Sequence, residues 1–491
     1  MSALLERFHT HAMQQPEVIA LADRTSKISY RQLLLLVTQR AAILSCTGAK
    51  TMGLWQDNSV NWVINQLAAL QARITLVPIP TFFSEAQAGH LLAELEPDIL
   101  LTDSGNTYDL ETAGYRSESQ RLGLYRRRIP GKTDMPDCAL LTFTSGSTGT
   151  PKGVRIGAEL IDQSCEALFQ ATASLDISQH HCLLPLSVML ENIAGALLPL
   201  YAGKTAVILP PGETGMQGSS ITDPQQLNRF LHQQRPESLI LVPQLLKLLL
   251  MLNSQQALPD SLRFVAVGGG KVSPALLSAA AEAGIPVFEG YGLSECGSVV
   301  SLNLPGQSRS GSVGKVLPHH QVRISDGGEI HIRGANMQGY LPYGPESTDE
   351  IATGDLGFID DGFLFITGRK KSLQINSYGR NFSPEWIEAD INSLPGVANS
   401  LICGDARPYI TAIIQLLPGY SAPRVQHSID QLNQRLPDYA RIRQWLPVQQ
   451  WPAELITDNG RPKRHLTEQH FRSQIDAFYL QDHAAELIRE A

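Results

Sequence analysis

Residues 140–156 read LLTFTSGSTGTPKGVRI and gather the hydroxyls of Thr144, Ser145, Ser147, Thr148 and Thr150 around Gly146, Gly149 and Gly153, with one cation, Lys152. A Ser/Thr/Gly-rich turn between an apolar strand and a helix aims backbone N–H groups and hydroxyls at one point, which suits phosphate oxygens. Lys152 would add charge. The stretch is not a Walker loop, because that pattern sets the lysine after a glycine and here it follows Pro151. AGKT (202–205) has Leu198 where the first glycine belongs, and GKT (131–133) has Arg126 there. The alternative, a ligand-free Ser/Gly linker, fits poorly, since linkers are low-complexity and lack flanking apolar strands.

Such a loop needs elements that hold it in place. TMGLW, ITLVPIP, PDILLTD, SLILVP, LRFVAVGG and IPVFEG are short apolar runs bounded by Gly, Pro or Asp, as strands are. Helical segments alternate with them: SYRQLLLLVTQRAAIL opens with Ser29 and Gln32 at capping-box spacing, and NSVNWVINQLAALQA (58–72) lies between two of the strands. This alternation predicts an α/β fold with a largely parallel sheet layered with helices. After about residue 310, VRISDGGEIHIRG and LGFIDDGFLFITGR alternate about Asp-Gly turns, predicting a small antiparallel subdomain. A further segment, from NFSPEWIEADINSLPGV to ITAIIQLLPG, follows the Gly- and Lys-containing stretch 368–379. The expected organisation is a large N-terminal domain, 1–368, and a small, mobile C-terminal α+β domain, 369–491.

Composition limits the function classes. A chain of 491 residues exceeds the size at which one core saturates, and 43% apolar with 18% charged residues is ordinary for a folded, soluble protein. A formal charge of −8 argues against a nucleic-acid partner. The basic cluster RLGLYRRRIPGK (121–132) reads as a solvated surface turn. Six cysteines without a C-x-x-C pair suggest neither a zinc site nor a disulfide framework. Glu6 and Arg7 interrupt any signal-peptide core, so a cytoplasmic location is expected. The longest apolar run, SLILVPQLLKLLLML (238–252), is broken by Pro243, Gln244 and Lys247 and reads as a buried strand followed by a helix, not a membrane span.

TFTSGSTGTPKG (142–153), GYGLSE (290–295), TGDLGFIDDGFLFITGRKK (353–371), YGRNFSPEWIE (378–388) and NGRPKR (459–464) stand in the order of the core motifs of the adenylate-forming superfamily, at about their spacing. That family includes acyl-CoA synthetases, peptide-synthetase adenylation domains and luciferases, and the chain resembles it over nearly its whole length. The resemblance implies activation of a carboxylic acid by ATP and Mg²⁺ to an acyl adenylate, then transfer to a thiol. It also implies roles. Residues 144–153, with Lys152, would hold the β- and γ-phosphates. Tyr291 and Gly292 belong to the turn over the adenine, Ser294 would contact the α-phosphate, and Glu295 would ligate Mg²⁺. Asp355 would take the ribose hydroxyls with Arg369, and Gly268, Gly269 and Gly270 in VGGGKVSP would border nucleotide and acyl group.

The chain departs from the family pattern at several positions. Ser372 stands at the hinge where Asp is common, and Gln374 replaces a branched apolar residue. In LLPLSVMLENIAG, Val188 stands where His or an aromatic residue is common, and Glu191 falls where long-chain enzymes carry Glu. The adenylation lysine slot holds Arg461, with Lys463 nearby; either cation could serve, and flexible Lys463 is slightly preferred. PTFFSEAQ and LPDYARIRQW look closest to the fatty acyl-CoA synthetases, so a medium- or long-chain fatty acid and coenzyme A are expected. Two alternatives stay open: loading of a separate acyl carrier protein's phosphopantetheine, and a degenerate paralogue that binds nucleotide or acyl ligand without turnover.

Overall fold

The computed structural model describes residues 2–480, apart from 104–105, 107, 130, 132–134, 136, 145–151, 218–219, 342–348 and 458–459. Two large sheets dominate. In the first, strands Lys27–Ser29, Ile19–Ala22, Thr205–Ile208, Gln179–Cys182, Ser238–Leu241, Phe264–Val267 and Val287–Tyr291 lie side by side. All of these pairs are parallel except the first. The antiparallel strands between 301 and 369, apart from Gly339–Leu341, continue this sheet from its Val287–Tyr291 side, because Gly290 and Tyr291 pair with Leu302 and Ser301. The expected antiparallel subdomain is therefore an extension of the parallel sheet.

The second sheet runs Gly339–Leu341, Lys152–Gly157, Cys138–Thr144, Thr75–Pro78, Thr51–Trp55, Ile99–Thr102, Leu124–Arg127, Tyr115–Ser119. Residues of both sheets share one core, with Leu140 and Ile156 from one and Ile208 and Phe264 from the other. Helix Val60–Ala72 is buried nearly all round because it lies inside that core, and the capping box of Ser29 and Gln32 starts helix Tyr30–Cys46.

One expectation is corrected here. The reading of the Ser/Thr/Gly loop as a strand-to-helix turn fails, since Lys152–Gly157 is a strand. It pairs antiparallel with Cys138–Thr144, Thr144 opposite Lys152, and on its other side with Gly339–Leu341. Helix Ala158–Thr172 starts only afterwards. Val154 and Ile156 place β-branched side chains on one face of this strand, which is paired on both sides, so no helix N-terminus follows directly on residues 145–151.

The run 238–252 is the buried strand Ser238–Leu241 and helix Pro243–Gln255. Arg126 and Arg127 of the basic cluster pair with Glu118 and Glu96. No helix among the described residues is long and apolar enough to cross a membrane. Beyond residue 382, helix Pro384–Ser393 and strands Val397–Cys403, Ile410–Leu416 and Ile442–Val448 build cores that share no member with the rest.

Candidate active site

Strand ends on the first sheet converge on one cleft. Phe264–Val267 runs out into Gly268 and Gly269, and Val287–Tyr291 into Gly292 and the 3₁₀ turn Ser294–Cys296. In an open parallel sheet the crevice at the carboxyl ends of strands is where ligands bind. Gly292 is required sterically, because a Cβ there would fall 1.7 Å from the Ser298 carbonyl oxygen. Gly268, Gly269, Tyr291, Gly292 and Ser294 all line the mouth of a cavity of about 260 Å³.

Asp355 links this turn to the antiparallel strands. Its side chain is 7% exposed, the Tyr291 hydroxyl donates to its Oδ2 at 2.7 Å and Arg369 Nε to its Oδ1 at 2.8 Å. Burial and the neighbouring Asp355 carboxylate push the Tyr291 phenol well up, so it stays a donor. A carboxylate has about four lone-pair sites, and with two used Asp355 still has acceptors for a diol.

On the other side of the turn, Tyr340 donates to Glu295 Oε1 at 2.8 Å, the one hydrogen bond to that carboxylate among the described residues. Lys152 Nζ stands 5.3 Å from the centre of the Tyr340 ring. Tyr340 thus ties the strand after the hydroxyl-rich loop to Glu295. One carboxylate oxygen of Glu295 remains for a hard cation, so the residue fits a Mg²⁺ ligand. Thr144 and Lys152 flank the loop; Ser145, Gly146, Ser147, Thr148 and Gly149 lie outside the described residues.

The two C-terminal cations part company. Arg461 crosses to the large domain, where its Nη2 donates to the Gly269 carbonyl and lies against Gly270. Burial, then repulsion from Arg369, lowers its proton affinity. Lys463 instead donates from Nζ to the Glu454 carbonyl at 3.1 Å, within its own domain. In this arrangement Arg461, not the preferred Lys463, faces the cleft. Ser372 ends the 3₁₀ turn Lys370–Ser372, and Gln374 is buried near Glu468.

Other residues emerge only from the fold. Lys247, which interrupts the apolar run, donates to the carbonyls of Asn392, Leu394 and Val397 at 2.6, 2.8 and 2.8 Å, closing the end of helix Pro384–Ser393. Burial pulls its ammonium down to about 8. Ser273 donates to Asp390 at 2.8 Å beside it. Glu289, on the strand leading to Tyr291, is pushed up to about 7 by burial, against the opposing effect of Lys271. Val188 lines the cavity, and Glu191 bonds His180 at 3.1 Å behind its wall. Periodicity could not have found Tyr340 or Lys247, whose partners lie 45 and about 145 residues away.

Two family models match the chain: AMP-binding enzyme over residues 8–341, and AMP-binding enzyme C-terminal domain over residues 372–483. The chain belongs to the AMP-binding enzyme family. The long-chain-fatty-acid–CoA ligase FadD15 of Mycobacterium bovis is 36% identical over 169 residues, only 33% of this chain and 28% of that protein. The 2-succinylbenzoate–CoA ligase of Bacillus pumilus is 29% identical over 413 residues, 76% of this chain and 79% of that one. The o-succinylbenzoate CoA synthetase of Bacillus subtilis, solved with an acyl adenylate, shares the fold with a TM-score of 0.77 at 23% identity, covering 94% of this chain and 97% of that one. The expectation of a fatty acid is therefore weakened: the likeness to a long-chain-fatty-acid–CoA ligase spans a third of the chain, while the likeness to a 2-succinylbenzoate–CoA ligase spans three quarters.

Proposed function

We propose that the chain activates a carboxylic acid with ATP and Mg²⁺ as an acyl adenylate and passes the acyl group to coenzyme A. One observation carries this reading: the Tyr291–Asp355–Arg369 array and Ser294 stand at the mouth of a largely apolar cavity. A polar nucleotide platform opening onto an acyl-sized space is what joining an acid to a nucleotide requires. Asp355 and Arg369 hold the ribose, Tyr291 orients Asp355, and the hydroxyls of 144–153 with Lys152 hold the outer phosphates. Arg461 or Lys463 supplies the cation at the reacting oxygens. Glu295 would hold a Mg²⁺ ion, which would supply neutralisation of phosphate charge. The small domain, from about residue 369, acts as a lid. Coenzyme A is the acceptor named in the relatives above, and an apolar aryl or medium-length acid suits the cavity as well as a fatty chain does.

The test is acid-dependent pyrophosphate release across fatty, aryl and amino acids, with and without coenzyme A. Release with at least one acid, and thioester only when coenzyme A is present, is the expected result. ATP binding without release from any acid would favour the non-catalytic paralogue.

A further inference from the structure

The cavity's far end lies at the amino ends of the parallel strands, where His180 pairs with Ser238 across the sheet. Both residues line the cavity there. The wall is otherwise mostly apolar, with Thr172, Gln179 and Lys204 also among its residues, and a buried polar chain crosses it. Ser238 Oγ is 2.8 Å from His180 Nδ1, and His180 Nε2 is 3.1 Å from Glu191 Oε1, with all three residues buried. Glu191 is 0% exposed, and its Oε2 accepts the Leu184 N–H at 3.0 Å. The Cys182 thiol lies against the same carboxylate and keeps its proton through burial and that contact.

The backbone is shaped around this chain. Glu191–Leu197 is a π-helical turn, a rare form that recurs at functional positions. Within it, a Cβ on Gly195 would lie 2.2 Å from Glu191 Oε1 and 3.0 Å from His180 Nε2, so only glycine leaves room for the pair. Asn192, next to Glu191, also points inward and exchanges hydrogen bonds with Gln66 at 2.7 and 2.9 Å. A buried carboxylate in a special turn is harder to stabilise than an apolar wall. Its presence beside the cavity calls for a use.

Donor and acceptor counting specifies that use. A carboxylate only accepts, so the His180 proton sits on Nε2 and Nδ1 becomes an acceptor. Nδ1 then takes the single Ser238 hydroxyl proton, which leaves the Ser238 oxygen as an acceptor among the residues that line the cavity. We infer that the acid activated here carries a hydrogen-bond donor, a hydroxyl or amino group, at its distal end, received by Ser238, with His180 and Glu191 as positioning residues. Phe264, opposite Ser238, is four residues from Gly268 at the nucleotide end, a span of about 13 Å at the usual strand rise. The donor therefore lies about that far from the reacting carboxyl. This assignment rests on the adenylation reading for which end receives the carboxyl.

The test compares decanoic, ω-hydroxydecanoic and decanedioic acids in pyrophosphate release. The hydroxy acid should be favoured over decanoic acid by roughly tenfold or more, mainly in KM, because a site built for a donor is left unpaired by the plain chain. Ser238→Ala, which removes little volume, should bring that ratio to within about twofold, and Glu191→Gln should lower it by loosening the tautomer. Equal kcat/KM for the hydroxy and plain acids in the unsubstituted protein, or a preference for the dicarboxylate, overturns the inference while leaving adenylation standing. If no acid yields pyrophosphate, the adenylation reading falls and calorimetric titration of the same acids decides alone: tighter binding of the hydroxy acid supports the acceptor site, and equal affinities overturn it.

Discussion

At the carboxyl ends of Phe264–Val267 and Val287–Tyr291 the molecule gathers charge: Asp355, Arg369, Glu295 and Arg461 surround the glycine turns. At the amino ends of the same sheet the cavity wall is mostly apolar, and the Ser238–His180–Glu191 chain in it is buried. The difference follows from parallel topology. Loops at the carboxyl ends of strands can bring groups from distant parts of the chain to open space, whereas helix Ala158–Thr172 and the π turn line the cavity with Leu168, Phe169 and Ala194. Charge is tolerable where solvent or ligand can reach it. Where neither can, a carboxylate persists only with donors in place.

Variants at the charged end should have the largest effects. Glu295→Ala should slow adenylation by roughly three orders of magnitude with the thermal midpoint nearly unchanged, because it would remove the proposed Mg²⁺ ligand from a partly exposed turn and no core volume. Near-normal pyrophosphate release at limiting Mg²⁺ would remove Glu295 from the site and blur the contrast between the two ends.

Glu289 lies between the ends and tests whether burial alone governs a carboxyl there. Its folded value of about 7 exceeds its ordinary value of 4.5. As pH rises from 4.5 to 7 the unfolded chain loses this proton first, so stability falls across that window and stays low above it. Glu289→Gln should therefore be more stable than the unsubstituted protein above pH 7, by up to about 3 kcal/mol, with the gain vanishing below pH 4.5. Denaturant titrations at pH 4.5 and 8 read the difference. A gain that does not depend on pH would mean the carboxyl is not held protonated.

Arg461→Ala should slow adenylation about a hundredfold, since a positioned cation is lost from the phosphoryl transition state. Lys463→Ala should cost less if the arrangement seen here is the adenylating one. The reverse order would mean that the small domain turns to present Lys463, and Lys247→Met, which unties the end of helix Pro384–Ser393, should then change the balance between adenylation and thiol transfer.

The smallest effect belongs to the apolar walls. Each methylene added to the acid should gain about 0.8 kcal/mol, or about fourfold in KM, until the far end is reached. A flat response from short to long acids would show that the cavity is not the acyl site.

Much of the fold was legible because short apolar strands bounded by Gly, Pro and Asp, the Ser29–Gln32 capping box and the Asp-Gly hairpins are local signals. The same kind of signal misplaced the element after the hydroxyl-rich loop. VRIG could open a helix on local grounds, and it is a strand because Cys138–Thr144 and Gly339–Leu341 hold it on both sides. Tyr291 belongs to one motif and Asp355 and Arg369 to another, and the fold brings them into direct hydrogen-bond contact.

The sequence by itself determined the family-like order of motifs, the strand and helix alternation, and the presence of a loop of hydroxyls beside one lysine. Tertiary structure alone decided which groups meet: Tyr340 with Glu295, Lys247 with the end of a helix in the other domain, Arg461 rather than Lys463 with Gly269, and Ser238 with His180 and Glu191. The physical reason is that periodicity and turn chemistry report on neighbours within a few residues. Contacts across a sheet depend on strand order and register, which are set by the burial of the whole core.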